Sequence, residues 1–240
     1  MKLILTTSNK YTYVCPVNIH FLNKYWPGQE IILLGYEEIE KLKDLPENVE
    51  VHMLGKQDDY GTSWTDALIP FFQNLEEQHF VVLFDDMILM SAVDPEAIRR
   101  LEEEVVSGRA QKALIGGGMP LTSTTKMENG LLVFDQNMGY RATLHPAIWA
   151  KDYFLSLLEP SFSPWQFEML NENKARRDGA VIINDDYVYP QQPHTFTTLN
   201  LYSKGKMTIN KNGEVLDNQP SAKYFDKEDL LYIWEKVNAS

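Results

Sequence analysis

Apolar positions in this chain fall into short runs, and the runs alternate between strand-like and helix-like spacing. Residues 2–6 are an apolar run short enough for a buried strand. Residues 15–22 carry apolar side chains at helical spacing until Trp26-Pro27-Gly28 stops the pattern. A second strand is predicted at 30–34, a polar amphipathic segment up to Lys43, and a third strand at 49–54. A polar, glycine-bearing loop at 55–64 leads into a helix over 65–77, whose Ala67, Leu68, Phe71, Phe72 and Leu75 share one face. The run Val81-Val82-Leu83-Phe84 then reads as a central strand that breaks into Asp85-Asp86 before turning apolar again. Strand and helix in this alternating order predict a sheet that is parallel through this region.

The second half follows a different pattern. Residues 91–94 can cap a helix with Pro95 at its first position, running to Val106. A strand is predicted at 112–115, and Gly116-Gly117-Gly118-Met119-Pro120 reads as a turn, because it has neither GK[ST] nor GxGxxG spacing. Short strands are expected at 131–134 and 141–144 around a turn at 137–140, with His145 opening a helix to about Leu158. The Pro-bounded loop 160–168 enters a further helix, with Glu168 in its first turns. Residues 180–184 form a strand that ends in Asp185 and Asp186, which serve either as a second acidic site or as turn formers. Short strands flank Lys204-Gly205-Lys206 and Asn212-Gly213, and a terminal helix spans 227–237. No repeat interrupts this order. The 240 residues suffice for one substantial core, so the chain is read as a single α/β domain with a mainly parallel, mixed central sheet flanked by helices.

Composition narrows the partners. With 34 acidic against 22 basic side chains, the formal net charge is −12, which excludes a general nucleic-acid or anionic-membrane binder. The single cysteine, Cys15, permits no intrachain disulfide and points to a reducing compartment. The opening apolar run is too short for a signal peptide, and no later run has the length of a transmembrane segment, so a cytoplasmic location is expected.

The candidate chemistry centres on Asp85 and Asp86. Carboxylates at the end of a buried strand must be paired, hydrogen-bonded or bound to a cation to stay ionised, and ligands of open α/β sheets bind just beyond the carboxyl ends of the strands. One reading is therefore a cation held together with a phosphate-bearing ligand; the other is one cap and one solvated acid. Thr6-Thr7-Ser8-Asn9, at the end of the first strand, is likewise either a hydroxyl-rich ligand turn or a helix cap.

Three stretches in order resemble nucleotide-sugar-dependent glycosyltransferases of the GT-A fold, family-2-like, over most of the chain. Phe84-Asp85-Asp86-Met87 after the 64–75 helix resembles that fold's DXD motif. The stretch from Tyr140-Arg141-Ala142-Thr143 to Trp149 is similar to the segment leading to the acceptor side of the cleft. Ser163-Pro164-Trp165-Gln166-Phe167-Glu168 looks like the acidic motif that supplies the base in inverting members.

The resemblance implies a Rossmann-like GT-A domain over 1–240, with a nucleotide-sugar half at 1–110 and an acceptor half at 111–240. It implies donor contacts from Thr6, Thr7, Ser8, Lys56, Trp64 and Asp85, and acceptor contacts from Tyr140, Arg141 and Trp165. Glu168 is the implied base of an inverting single displacement. Because Phe84 stands where a DXD has its first acid, Asp86 is the implied ligand of a divalent Mn or Mg ion, with His194 as a late second ligand. The implied partners are a nucleotide-sugar donor and a saccharide or other hydroxyl acceptor. Two other readings stand beside it. One is a non-catalytic nucleotide- or carbohydrate-binding protein on the same scaffold. The other is a sugar-phosphate nucleotidylyltransferase, which should carry a glycine-rich basic loop where this chain has Thr6-Thr7-Ser8-Asn9-Lys10.

Overall fold

Strand β1 (Lys2–Thr6) is apolar at consecutive positions because both its faces are covered: Leu3 and Leu5 point into one core and Ile4 into the other. The computed structural model describes residues 1–116, 124–184 and 196–239. From β1 the chain passes through α1 (Cys15–Tyr25), β2 (Ile31–Gly35), β3 (Val49–Met53), α2 (Thr65–Asn74) and β4 (His79–Phe84). It continues through β5 (Met87–Leu89), α3 (Pro95–Val106), β6 (Lys112–Leu114), β7 (Thr124–Lys126), β8 (Leu132–Phe134), β9 (Ala147–Ala150), α4 (Lys151–Leu157), α5 (Pro164–Ala175) and β10 (Ile182–Asn184). Short strands β11 (Thr198–Asn200), β12 (Tyr202–Ser203) and β13 (Lys206–Met207) precede α6 (Lys227–Asn238).

The main sheet has the order β3-β2-β1-β4-β9-β6-β10-β8-β7. Strands β3, β2, β1 and β4 are mutually parallel, and only β8 and β9 run against the common direction. This is a single α/β domain with a mixed, mostly parallel sheet. Helices α2, α4 and α5 cover one face through Leu68, Phe72, Phe154 and Phe167, and α1 and α3 cover the other through Ile19, Leu22, Ile98 and Leu101. A third cluster packs the outer side of α1, Val17 and Phe21, against Ile88, Leu199 and the Leu230 and Ile233 face of α6. Among the described residues no helix is long and apolar enough to cross a membrane.

The predicted cap of α3 acts as expected: Asp94 accepts from the Glu96 and Ala97 amides at 2.9 and 3.2 Å. At the start of α5, Ser163 with Gln166 forms a capping box. Three expectations fail. Residues 141–144 form no strand, and 147–150 are not helix but strand β9, inserted antiparallel between β4 and β6, so that the helix begins only at Lys151. Buried on both faces, Ala147-Ile148-Trp149 shows no alternation that would separate strand from helix. The polar segment after β2 is a single 3-10 turn, Glu37–Lys41, not an amphipathic helix.

Candidate functional site

The ends of β1, β2 and β4 converge because these strands are parallel neighbours. Thr6 pairs in register with Phe84 on one side and Leu34 on the other, so the next residues out of the sheet are Thr7, Asp85 and Gly35. The Thr7 hydroxyl donates to Asp85 Oδ2 at 2.6 Å, and the Asp85 amide donates to the Thr6 carbonyl at 3.1 Å. Glycine is required at position 35, since a Cβ there would lie 2.6 Å from Ile39 Cγ2 and 2.7 Å from Thr7 Cγ2. That close approach brings Tyr36 beside the β1 turn.

These ends form the floor of a cavity of about 510 Å³. Thr6, Thr7 and Ser8 contribute one side, and Phe84, Asp85 and Asp86 the adjacent one. Tyr11, Tyr36 and Trp64 give it aromatic walls, with Gln57, residues 61–63 and Pro164 around the rim. The rim is tied together by hydrogen bonds: the Asn9 amide donates to Gln57 Oε1 at 2.7 Å, and the Gln57 amide to Glu37 Oε2 at 2.8 Å. Pro164 reaches the cavity because the start of α2 is fastened to the segment before α5. The Trp64 and Thr65 amides both donate to the Phe162 carbonyl, and the Thr65 hydroxyl donates to Glu159 O at 2.7 Å.

Asn18, buried on α1, holds the acidic turn. Its amide group donates to the carbonyls of Phe84, Asp85 and Met87 at 3.1–3.3 Å, while the Leu201 amide donates to Asp86 O at 2.7 Å. The turn is thus held through its backbone carbonyls by two other segments, and both carboxyl groups line the cavity, Asp85 with the Thr7 hydroxyl as its partner. Asp85 is only 6% exposed, and burial pushes its carboxyl up to about 7; the Thr7 hydrogen bond works against this and the neighbouring Asp86 charge adds to it. Burial raises Asp86 as well. Beneath them, burial pushes the Cys15 thiol up to about 12, so it is no nucleophile at neutral pH.

Of the predicted donor residues, the structure brings Thr6, Thr7, Ser8, Trp64, Asp85 and Asp86 into one cavity. Lys56 precedes the turn that bears Gln57 and does not line the cavity itself. Glu168 lies one helical turn beyond Pro164, outside the lining, where its Oε1 accepts from the Leu144 amide at 2.6 Å and the Thr143 hydroxyl at 3.1 Å. Trp165 is 70% exposed beside the rim. Tyr140, in the left-handed region at φ 65°, is also exposed but follows Gly139, which abuts Arg176 at the far end of α5. His194, Asp185 and Asp186 lie outside the described residues.

The acceptor role expected of Arg141 is corrected. Its side chain is fully buried and donates to the carbonyls of Ala175, Phe134, Asp135 and Ala180. With four of its five N–H donors on backbone carbonyls and the whole side chain buried, the guanidinium is not placed to contact a ligand. Lys112 is its companion, equally buried, donating to Arg141 O at 3.1 Å and Thr143 O at 2.6 Å with its ammonium 4.0 Å from the Trp149 ring centroid. The two buried basic side chains shape the irregular 141–145 segment that presents donors to Glu168, and burial pushes the Lys112 amine well below the usual lysine range.

Among the described residues no three His, Cys, Asp or Glu side chains cluster as a metal-binding set. The Asp85–Asp86 pair fits a hard divalent ion of the kind that takes one or two protein carboxylates and completes its shell with phosphate oxygens and water. Tyr11, Tyr36, Gln57 and Asn18 went unnoticed in the sequence; Tyr36 had a usable signal, since it directly follows the end of a buried parallel strand.

The site is thus a polar-floored, aromatic-walled cavity at the carboxyl ends of parallel strands in an α/β domain. No family model matches the chain, and no curated protein matches it in sequence. Among solved structures it is similar to a cytidylyltransferase from Leptospira borgpetersenii serovar Hardjo-bovis (strain JB197), with a TM-score of 0.51 at 11% identity, covering 99% of this chain and 94% of that one. It also matches S. aureus TarS 1–349, with a TM-score of 0.47 at 13% identity over 82% of this chain and 60% of that one. A CMP:2-keto-3-deoxy-manno-octonic acid synthetase complexed with CTP gives a TM-score of 0.46 at 10% identity over 76% and 88%. At these identities the likeness concerns the fold alone.

Proposed function

We propose that this chain is a glycosyltransferase that moves a sugar from a nucleoside-diphosphate sugar to an acceptor hydroxyl by single displacement. The observation that carries this reading is the Asp85–Asp86 pair, which faces a cavity of nucleotide size from the end of β4, with the Thr7 hydroxyl on Asp85. In this reading Tyr11 and Tyr36 flank the nucleobase and Thr6 to Ser8 bond its edge. Asp85 contacts ribose or donor sugar. Asp86 holds a divalent Mn or Mg ion, which when bound offsets the charge that develops on the leaving diphosphate. Glu168 takes the acceptor proton as the hydroxyl oxygen bonds to the anomeric carbon, and the bonding pair of the broken carbon–oxygen bond leaves with the diphosphate. Trp165, exposed at the rim, offers a sugar ring a flat apolar surface.

A second reading, nucleotidylyl transfer, is favoured by the likeness to the cytidylyltransferase, which spans nearly the whole of both chains. Against it stands Thr6-Thr7-Ser8-Asn9-Lys10, which offers no glycine-rich basic loop to a triphosphate.

The test is to supply a panel of nucleotide sugars with acceptor glycans, and separately nucleoside triphosphates with sugar phosphates, and to assay the released product. Nucleoside diphosphate released in proportion to glycosylated acceptor is expected. Glu168→Gln should slow it by roughly 10²- to 10⁴-fold with donor affinity unchanged. Pyrophosphate release from a triphosphate would replace this reading with the second.

A further inference from the structure

Strand β3 closes one side of the main sheet and has no neighbour beyond it among the described residues. Sheet edges normally carry charged side chains, a proline or a bulge that blocks further pairing. Strand β3, Val49-Glu50-Val51-His52-Met53, has neither proline nor bulge and a single charged side chain, Glu50, and all five residues pair with β2 in unbroken register. Val51 and Met53 are each 45% exposed.

The peptide groups that face outward follow from the bonds to β2. The Ile31 amide donates to Asn48 O and the Leu54 amide to Gly35 O, so the even-numbered positions bond inward. The peptide groups of Val49, Val51 and Met53 therefore point to the open edge, where only the Val49 N–H is used, by Pro46 O. The side chains sort by face in the same way. Val51 lies beside Leu33 on the α1 side, and Glu50 and His52 lie beside Ile32 and Leu34 on the α2 side, where His52 packs on Phe71 with ring centroids 4.8 Å apart.

We propose that β3 pairs antiparallel with β3 of a second copy of this chain, about a two-fold axis through Val51, joining the two sheets into one. Such an axis sets each residue opposite the one whose number completes a fixed sum. With Val51 on the axis, Glu50 meets His52 of the second copy in a non-hydrogen-bonded pair, where side chains approach most closely, and Val49 meets Met53. Acid is opposite base and apolar opposite apolar. Sliding one step either way sets Glu50 against Glu50, or His52 against His52, so this register alone is self-complementary. Charge around Glu50 agrees: Lys2 is shared at 3.2 and 3.1 Å between Glu50 and Glu77, which leaves one negative charge in excess for the incoming histidine. A hollow of about 430 Å³ between β3 and α2, lined by Glu50, His52 and Phe71, gives the second copy's side chains room on that face.

The test is light scattering across a concentration series, with hydrogen exchange of the wild-type chain at the two ends of the series. A concentration-dependent mass of twice the chain, with the Val51 and Met53 amides protected as concentration rises, is expected. Val51→Lys puts two ammonium groups on the axis and should weaken the dimer roughly tenfold or more, with the melting midpoint unchanged at dilutions where the wild type is monomeric. Exchanging the charges, by Glu50→His with His52→Glu, should retain it. A wild-type chain that stays monomeric throughout, a dimer indifferent to Val51→Lys, or a folded charge-exchanged chain that no longer associates would each overturn the proposal; the exchange data need no variant.

Discussion

Two sets of buried ionisable side chains lie in different parts of the domain, and their partners differ. In the second half of the chain, Arg141 and Lys112 are fully buried, and their donors end on backbone carbonyls. At the ends of β1 and β4, Asp85 is almost as buried but has one side-chain partner, Thr7, and a second carboxylate beside it. The first set is complete without a ligand, and its function is to shape the chain. The second is costly as it stands, because burial disfavours the ionised carboxyl and no cation of the protein compensates it among the described residues. Burial alone therefore does not mark a functional charge; an unbalanced set of partners does.

Substitutions on the two sides should separate them. The largest effect is expected at Arg141→Met, which leaves four carbonyls without their donor; stability should fall by about 3 to 5 kcal/mol in denaturant unfolding, and nucleotide affinity in the surviving folded fraction should be unchanged. Asp85→Asn should do the reverse. The Asp85 carboxyl ionises at about 7 in the folded chain and near 3.8 when unfolded, so the native state holds the extra proton between these values. Stability from this group is therefore highest below pH 4, falls as pH rises through the window, and levels off above pH 7, a loss of at most roughly 4 kcal/mol. Asp85→Asn should flatten that decline in a series of melts from pH 4 to 8 and weaken donor binding. In the wild type, metal-assisted binding should strengthen as pH rises through 7.

Smaller effects should follow at the edges of the site. Thr7→Val removes the hydrogen bond that favours the ionised Asp85, and donor affinity at neutral pH should drop by about 1 kcal/mol in calorimetric titration. Trp165→Ala, at a side chain that is mostly exposed, should leave stability within about 0.5 kcal/mol and raise the acceptor KM with the donor KM unchanged. An equal loss for both substrates would move Trp165 out of the acceptor role.

The same contrast explains what could be read without coordinates. Strand β4 ending in Asp85-Asp86 and the Asp94 cap are local signals, and each was legible from a few neighbouring residues; the Ser163–Gln166 capping box is just as local but was passed over. The fold class followed from the alternation of periods in the first half. Strand β9 was not legible, because a four-residue strand buried on both faces has no period of its own and Lys151–Leu157 extends its apolar pattern as helix. Arg141 was misjudged for a related reason: its partners come from residues 134–135, 175 and 180, and nothing in its own neighbourhood says that an arginine will be consumed by distant carbonyls. The aromatic walls, Tyr11 and Tyr36, come from two different turns that only the parallel order of β1 and β2 brings together.

The most direct measurement is a calorimetric titration of nucleoside diphosphates and their sugars, with and without Mn²⁺, into the wild-type chain and into Asp86→Asn. Binding that requires the metal and weakens at least roughly tenfold in Asp86→Asn, with the melting midpoint of the ligand-free chain preserved, is the predicted result. Nucleotide binding that is indifferent to both metal and Asp86, or no binding across the panel, would contradict the assignment of the acidic turn as the donor site.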